Sequence, residues 1–259
     1  MIELSFLLLL GPSISDPADF FMPPEIDRFA NYHIESEERE LALKELCASY
    51  EELREAYQTE RRDKEQKFYE GVTELFMTDE LLAMQLDSLR MLQTEYRKKI
   101  VGLRLQMTKQ ITDEEWSTYL EKLSGESDKD SEKENKLIDH MNIALMEFIE
   151  STAPKFPIEK QAPLQIPMYG FKNKVMEHYR SFKQFDLYNH PSLRLRSAEL
   201  KDIEKATKRA DRFTFGIYEE LFELRSYLRE HLTADQWYSI HEDFEILVLK
   251  MREMSIQRY

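Results

Sequence analysis

Residues 111–116 read Ile-Thr-Asp-Glu-Glu-Trp, and residues 232–237 read Leu-Thr-Ala-Asp-Gln-Trp. These two stretches contain the only two tryptophans of the chain. In each, a threonine (Thr112 or Thr233) stands three positions before a Glu or Gln, which is the pattern of a helix N-cap with a capping box. The aliphatic residue before the cap can pack on the tryptophan at the fourth helical position. Each stretch therefore predicts the start of a helix.

The recurrence of this pattern predicts that the chain contains two related helix–motif–helix units. The two tryptophans lie 121 positions apart, and the same offset pairs Arg104 with Arg225 and aligns the apolar columns of the preceding helices. A fixed offset of this kind is typical of an internal repeat. The candidate motif residues are Ile111, Thr112, Glu115 and Trp116 in the first copy and Leu232, Thr233, Gln236 and Trp237 in the second.

The composition favours an all-α fold of long helical hairpins. Among 259 residues, 42% are apolar and 33% are charged, with only six glycines, which is typical of long helices with one solvated face. The nine prolines fall within 12–24 or 154–191, so the segments 25–153 and 192–259 lack the residue that breaks helices.

The proline-rich stretches and the apolar N-terminus divide the chain into five expected segments. The run Leu4–Leu10 followed by Ser13-Ile14-Ser15 resembles a secretion signal, although Glu3 replaces the usual positive charge; a docked N-terminal segment is the alternative. The expected segments are a signal at 1–15, an extended lead-in at 16–33, a first helical unit at 34–153, an extended proline-rich connector at 154–170 and a second helical unit at 171–259.

Within the first unit, the pattern predicts a helix from an N-cap at Ser36 to about residue 76 and another from Thr78 to about residue 110. Apolar residues at alternating three- and four-residue spacings predict a helix–helix seam: Leu43, Leu46, Tyr50, Leu53 and Tyr57. The apolar stripe stops over 58–67, so this stretch is expected to project from the core as a charged helix.

Further along the chain, the polar segment 125–134 is expected to be a loop. A following helix is expected to end at His190-Pro191. Ser197 is the expected cap of the last long helix before the second tryptophan motif.

The stretch Leu232-Thr233-x-x-Gln236, followed by Trp237, resembles the L-T-x-x-Q motif of the Spy and CpxP family of periplasmic helical proteins. The resemblance covers about residues 78–123 and 197–256. It implies a cradle-like helical dimer in the cell envelope that acts as an ATP-independent chaperone or a stress-signalling adaptor; some relatives sense metals. The first copy departs from the motif with Ile111 for Leu and Glu115 for Gln. The chain is also acidic, where the best-known chaperones of this type are basic.

The charge balance disfavours nucleic acid and anionic membranes as partners. The formal net charge is −14, and the basic runs 97–99 and 205–212 are interleaved with acids and apolar residues, as on solvated helix faces. No segment is long enough to predict a membrane span. The expected partners are therefore protein clients or partner helices, with a homodimer possible.

Few residue patterns point to chemistry. There is no Gly-rich phosphate loop, G-x-S-x-G elbow or C-x-x-C pair, so we predict no enzyme and no cofactor. His241 and Glu245 lie one helical turn apart and form the one candidate metal pair. The single cysteine, Cys47, is expected to be a buried small side chain.

Methionine is abundant, with twelve residues. Core packing is the expected role of Met84, Met91 and Met107; the alternative is an adaptable apolar surface that accepts varied clients. The leading functional hypothesis is a non-enzymatic envelope protein that binds unfolded or stress-damaged proteins. The alternatives are an assembly scaffold that pairs through its charged helix at 36–76 and a metal-responsive sensor.

Overall fold

The computed structural model describes Met22 and residues 26–123, 131–183 and 195–256. Throughout this part the secondary structure is helical and contains no strand, which confirms the predicted all-α class. The α-helices are α1 (Ile26–His33), α2 (Glu37–Thr73), α3 (Asp79–Lys109), α4 (Asp113–Leu123), α5 (Ser131–Thr152), α6 (Ile158–Lys183), α7 (Leu200–His231) and α8 (Ala234–Ile256). No helix in these ranges is both long and apolar enough to span a bilayer.

Short polar side chains begin α2 and α3 at the predicted places. Ser36 Oγ accepts a hydrogen bond from the Arg39 N–H at 3.4 Å, and Thr78 Oγ1 accepts one from the Leu81 N–H at 3.3 Å. Each bond satisfies a backbone donor that a helix start leaves without an internal partner. These two starts are therefore set by local sequence, as expected.

The predicted cap of α7 is wrong. The helix begins at Leu200, and the Asp202 carboxylate accepts a hydrogen bond from the Glu199 N–H at 3.0 Å. Ser197 lies in the turn before the helix. Asp202 forms the reciprocal bond of a capping box whose cap residue is Glu199.

The region predicted as an extended connector, residues 154–170, is instead mostly helical. A 3-10 turn at Ala153–Lys155 leads into α6, which continues through Pro163 and Pro167. Pro167 has no N–H to donate to the Pro163 carbonyl, as an interior helix residue normally would. The Tyr227 hydroxyl of α7 donates to that carbonyl at 3.1 Å. A partner distant in sequence thus offsets the local cost of proline.

The predicted extended lead-in at 16–33 is also wrong where the structure describes it. Residues 26–33 form α1, which buries Ile26, Phe29 and Ala30. Their spacing of three and four residues places all three on one helix face. Short length and the nearby prolines concealed this helix in the sequence.

Several expected features fall on residues outside the described ranges. These are the signal at 1–15, most of the lead-in before residue 26 and the helix end at His190-Pro191. The expected loop at 125–134 is partly outside them, and its last four residues already belong to α5.

The buried apolar side chains form two clusters. The first is built from α1, α2, α3 and α4 and includes Leu43, Tyr57 and Trp116, which confirms the predicted seam along α2. The second is built from α5 to α8 together with the end of α2 and the start of α3. Helix α5, which the predicted boundaries place in the first unit, packs on α6 and α8. The residues on both sides of the α2–α3 turn belong to the second cluster.

The helix order repeats along the chain. The helix pairs α2 and α6, α3 and α7, and α4 and α8 each begin 121 positions apart, the same interval that separates the two tryptophans. Within the halves, α2 packs along α3 and α6 packs along α7. Helix α3 also contacts α7 in an antiparallel arrangement, because Arg97 pairs with Asp211 and Arg90 with Glu219.

Candidate functional site

The first motif forms the junction between α3 and α4. The Thr112 N–H donates to Glu115 Oε2 at 2.7 Å, and the Glu115 N–H donates to Thr112 Oγ1 at 3.2 Å. The predicted capping box is therefore present. Ile111 and Trp116 are both buried in the first cluster. The motif thus fixes the backbone turn and anchors it in the core.

An ion pair ties this junction to the start of α2. Arg39 donates to both oxygens of Glu115, at 2.8 and 2.9 Å, and to the Gln110 carbonyl at 3.0 Å. The hydrogen bond from Arg39 lowers the pKa of Glu115 below its usual range, and the Thr112 N–H adds to this. Two parallel bonds make this a directional pair. Its glutamate is one of the two residues of this copy that depart from the L-T-x-x-Q pattern, the other being Ile111.

The second motif forms the junction between α7 and α8. The Thr233 N–H donates to Gln236 Oε1 at 3.1 Å, and the Gln236 N–H donates to Thr233 Oγ1 at 3.3 Å. Trp237 is fully buried in the second cluster, with its ring 5.6 Å from that of Phe244. Leu232, before the cap, packs against the same cluster. The backbone plan matches the first junction, but the cap carries no charge.

The two arginines paired by the offset, Arg104 and Arg225, are both fully buried. Arg104 on α3 donates to the Leu195 carbonyl, in the turn before α7, at 2.8 Å. Arg225 on α7 donates to the Glu74 carbonyl, in the turn before α3, at 2.9 Å. The two accepting carbonyls are again 121 positions apart. Each long helix thus holds the turn that precedes the other.

The surroundings of the two arginines differ in detail. The Arg104 guanidinium lies over the Trp116 ring at 5.6 Å, and burial lowers its pKa to about 10. Arg225 instead pairs with the Asp79 carboxylate at 2.7 Å and donates to the carbonyls of Val72 and Met77. The equivalent positions therefore have the same role with different partners.

A polar layer lies between the two halves where a charged, projecting helix was expected. Within residues 58–67 of α2, Arg61 and Glu65 are buried, and the Arg61 Nε donates to Glu65 at 2.8 Å. The Tyr218 hydroxyl on α7 donates to the same carboxylate. Burial raises the pKa of Tyr218 well above its ordinary value, so the phenol stays protonated and donates. The prediction of a projecting stretch is wrong because α7 supplies the missing partner.

The sequence contains a signal for this layer that was missed. Arg61 and Glu65 are one turn apart and continue the face of Tyr57, whose hydroxyl accepts from Arg61 at 3.2 Å. The Tyr57 ring also stacks on Tyr96 of α3 at 3.9 Å. Charge pairs at this spacing are normally exposed, so the pattern marks the face of Tyr57, and the contact with Tyr218 is what encloses the pair. Glu65 accepts hydrogen bonds from both Arg61 and Tyr218, and these bonds fix how α2 aligns with α7.

The candidate metal pair, His241 and Glu245, lies close together but consists of only two side chains. His241 Nδ1 lies 3.7 Å from Glu245 Oε2, and both side chains are partly exposed. Among the residues that the structure describes, no three His, Cys, Asp or Glu side chains gather as a metal-binding group. Structural zinc sites use four ligands and catalytic sites three. The pair supplies two.

Cys47 is half-buried beside the first cluster. Burial raises the pKa of its thiol to about 11. A thiol with a raised pKa is a poor nucleophile at neutral pH. This position therefore acts as a small packing side chain.

The methionines divide between core and surface. Met107 is fully buried, as predicted, whereas the core roles predicted for Met84 and Met91 are wrong: these side chains are 66% and 69% exposed. They lie one above the other on the outer side of α3, with Leu81 and Phe76 also exposed nearby. Helical periodicity identifies a face but not which face meets the core.

No protein-family model, curated protein or solved structure matches this chain. The function of this chain must therefore be inferred from the chain's own surfaces and contacts.

Proposed function

We propose that this is a non-enzymatic protein of the Spy/CpxP type that binds unfolded or stress-damaged proteins, as a chaperone or a stress adaptor. The single observation that carries the proposal is the exposed apolar stripe on α3, formed by Leu81, Met84 and Met91. Exposed apolar side chains that share one helix face offer a partner a place to bind, although Asp87 separates the two methionines here. The exported location proposed with it follows from the apolar segment at 1–15.

The chemistry of the stripe suits varied partners. Methionine is unbranched and polarisable, so its side chain adapts to irregular apolar shapes. Burying client apolar surface there stabilises the complex by about 25 cal/mol per Å². A stripe of three residues buries little, so binding is expected to be weak and reversible, as a chaperone without a nucleotide cycle requires.

The first capped junction and Arg225 give this surface a rigid support. The junction at Thr112 and Trp116 fixes one end of α3, and Arg225 fixes the turn at its other end. The stripe therefore belongs to a helix that is held at both ends by buried contacts. A rigid apolar surface loses little conformational entropy when a client binds.

Aggregation of thermally unfolded citrate synthase, followed by light scattering, tests the proposal. The wild-type chain should suppress aggregation near stoichiometric ratios, and Met84→Gln/Met91→Gln should lose most of that effect because the apolar contact is removed. The matched control is Tyr238→Gln/Leu249→Gln on α8, which removes other exposed apolar side chains. No suppression by the wild type, or equal loss in the control, contradicts the proposal.

The scaffold alternative gains no support from the described contacts. Its charged helix packs against α7 over 58–67, and Leu46 and Leu53 lie against the first cluster. Polar substitutions at these leucines therefore test folding. The metal-sensor alternative has only the pair of His241 and Glu245.

A further inference from the structure

A cavity of about 470 Å³ lies between α5 and α6. Its α6 wall consists of two neighbouring rows of side chains, because residues four positions apart lie one above the other on a helix. One row is Lys172, Met176 and Arg180, and the other is Asn173, Glu177 and Ser181. Asn142 lines the cavity from α5. A volume of this size suits a small molecule.

The two cations of the first row are available to an external anion. Lys172 and Arg180 lie about two helical turns apart, and among the residues that the structure describes neither forms an ion pair. Lys174 of the same helix is instead paired with Glu220 and Glu223 of α7, at 2.9 and 3.1 Å. The long side chains of Lys172 and Arg180 can meet on one phosphate group that lies between them.

The other groups of the cavity suit a molecule with several hydroxyls. The amides of Asn142 and Asn173 and the hydroxyl of Ser181 each offer a donor and an acceptor without charge. Glu177 adds acceptor oxygens, and a sugar hydroxyl can donate to them. Met176 is buried and gives the cavity an apolar floor. With two cations and one carboxylate, the lining complements one phosphate better than a ligand with several anionic groups.

We propose that this cavity binds a small, soluble phosphorylated sugar. Lys172 and Arg180 hold the phosphate through charge-assisted hydrogen bonds, while Glu177 and the uncharged polar groups hold the hydroxyls. The inference goes beyond the proposed function and does not rest on it, since Leu81, Met84 and Met91 do not line this cavity.

Isothermal titration calorimetry of the full chain with glucose 6-phosphate tests the inference. The dissociation constant should lie below about 1 mM, an affinity within reach of a ligand of this size. Glucose, which lacks the phosphate, and inorganic phosphate, which lacks the hydroxyls, should each bind at least about tenfold more weakly. Lys172→Gln/Arg180→Gln should weaken the binding of glucose 6-phosphate at least about tenfold, because both charge-assisted contacts are lost.

Glu177→Gln distinguishes recognition of a sugar phosphate from simple attraction of an anion. Without the carboxylate the lining is more positive, so inorganic phosphate should bind more tightly than it does to wild type. The preference for glucose 6-phosphate over inorganic phosphate should shrink, because an acceptor for the hydroxyls is replaced by a weaker one.

The matched control is Arg62→Gln/Lys160→Gln, which removes the same charge at exposed positions on α2 and α6 outside the cavity. It should leave the affinity for glucose 6-phosphate unchanged. No binding of glucose 6-phosphate to wild type, equally tight binding of glucose or inorganic phosphate, or an equal loss in the control overturns the inference. The comparison of the three ligands needs only the wild-type chain, so it does not depend on the folding of a variant. The aggregation assay contains no sugar phosphate, so either proposal can fail alone.

Discussion

The two capped junctions share a backbone plan but differ in what they attach to. Both use a threonine cap, a reciprocal bond from the third residue and a buried tryptophan. Glu115 in the first junction accepts a bidentate pair from Arg39, while Gln236 in the second is neutral and serves only the cap. The cap chemistry therefore sets the local turn in both junctions, and the first turn is also tied to α2, where Arg39 stands in place of the second half's Lys160 and Glu115 in place of Gln236.

The buried arginines extend the same comparison. Arg104 lies over the tryptophan of its own junction, while Arg225 gathers the turn before α3 through three carbonyls and Asp79. Arg104 stabilises its own half as well as the turn before α7. Arg225 acts mainly across the boundary between the halves, and the effects of mutations can measure this difference.

The largest effect is expected for Arg225→Met. This change leaves the carbonyls of Val72, Glu74 and Met77 without their common donor and removes one of the two arginines that pair with the half-exposed Asp79, so the free energy of unfolding should fall by about 3–5 kcal/mol. Urea unfolding at neutral pH measures it. The matched control is Arg229→Met, which shares Asp79 at 3.3 Å from a half-exposed position. It should cost at most about 1 kcal/mol. Equal losses would contradict the role given to Arg225.

A smaller effect distinguishes the two tryptophans. A double-mutant cycle with Arg104→Met and Trp116→Leu should give a coupling energy of about 1–2 kcal/mol, because the guanidinium stacks on the indole in a desolvated site. The same cycle with Arg225→Met and Trp237→Leu should give less than about 0.5 kcal/mol, since Arg225 is directed to the α2–α3 turn. Unfolding free energies of the four variants in each cycle provide the values. Similar coupling in both would show that the arginines are equivalent.

The features that could be predicted correctly are those set by residues that lie close together in the sequence. The helix starts at Ser36, Thr78, Thr112 and Thr233 were predictable because a cap and its donor lie within three residues. The all-α class followed from the same local signals. These features need no knowledge of any other part of the chain.

Several errors involve partners far away in sequence, whereas the misplaced cap at Ser197 and the missed helix α1 are local errors. The helix through Pro163 and Pro167 depends on the hydroxyl of Tyr227, and the burial of Glu65 depends on Tyr218. The exposure of Met84 could not be predicted because α3 has two faces with apolar residues, and only tertiary packing selects one. Of the candidate site, the motif geometry was predictable, while the exposed methionines of α3 were foreseen only as the alternative to core packing.

The smallest expected effect concerns the charge in the first cap. The pKa of Glu115 is lowered in the folded chain, first by Arg39, so its contribution to stability is complete above the unfolded value of about 4.3 and is lost as the pH falls through the folded value. Glu115→Gln makes the first cap resemble the second and should cost about 1 kcal/mol at pH 7. The difference from wild type should shrink below about pH 4. Urea unfolding between about pH 3 and pH 7 tests this, with Gln236→Glu as the control that adds a carboxylate to the second cap. A difference that stays constant with pH would show that the bidentate pair does not couple the first junction to α2.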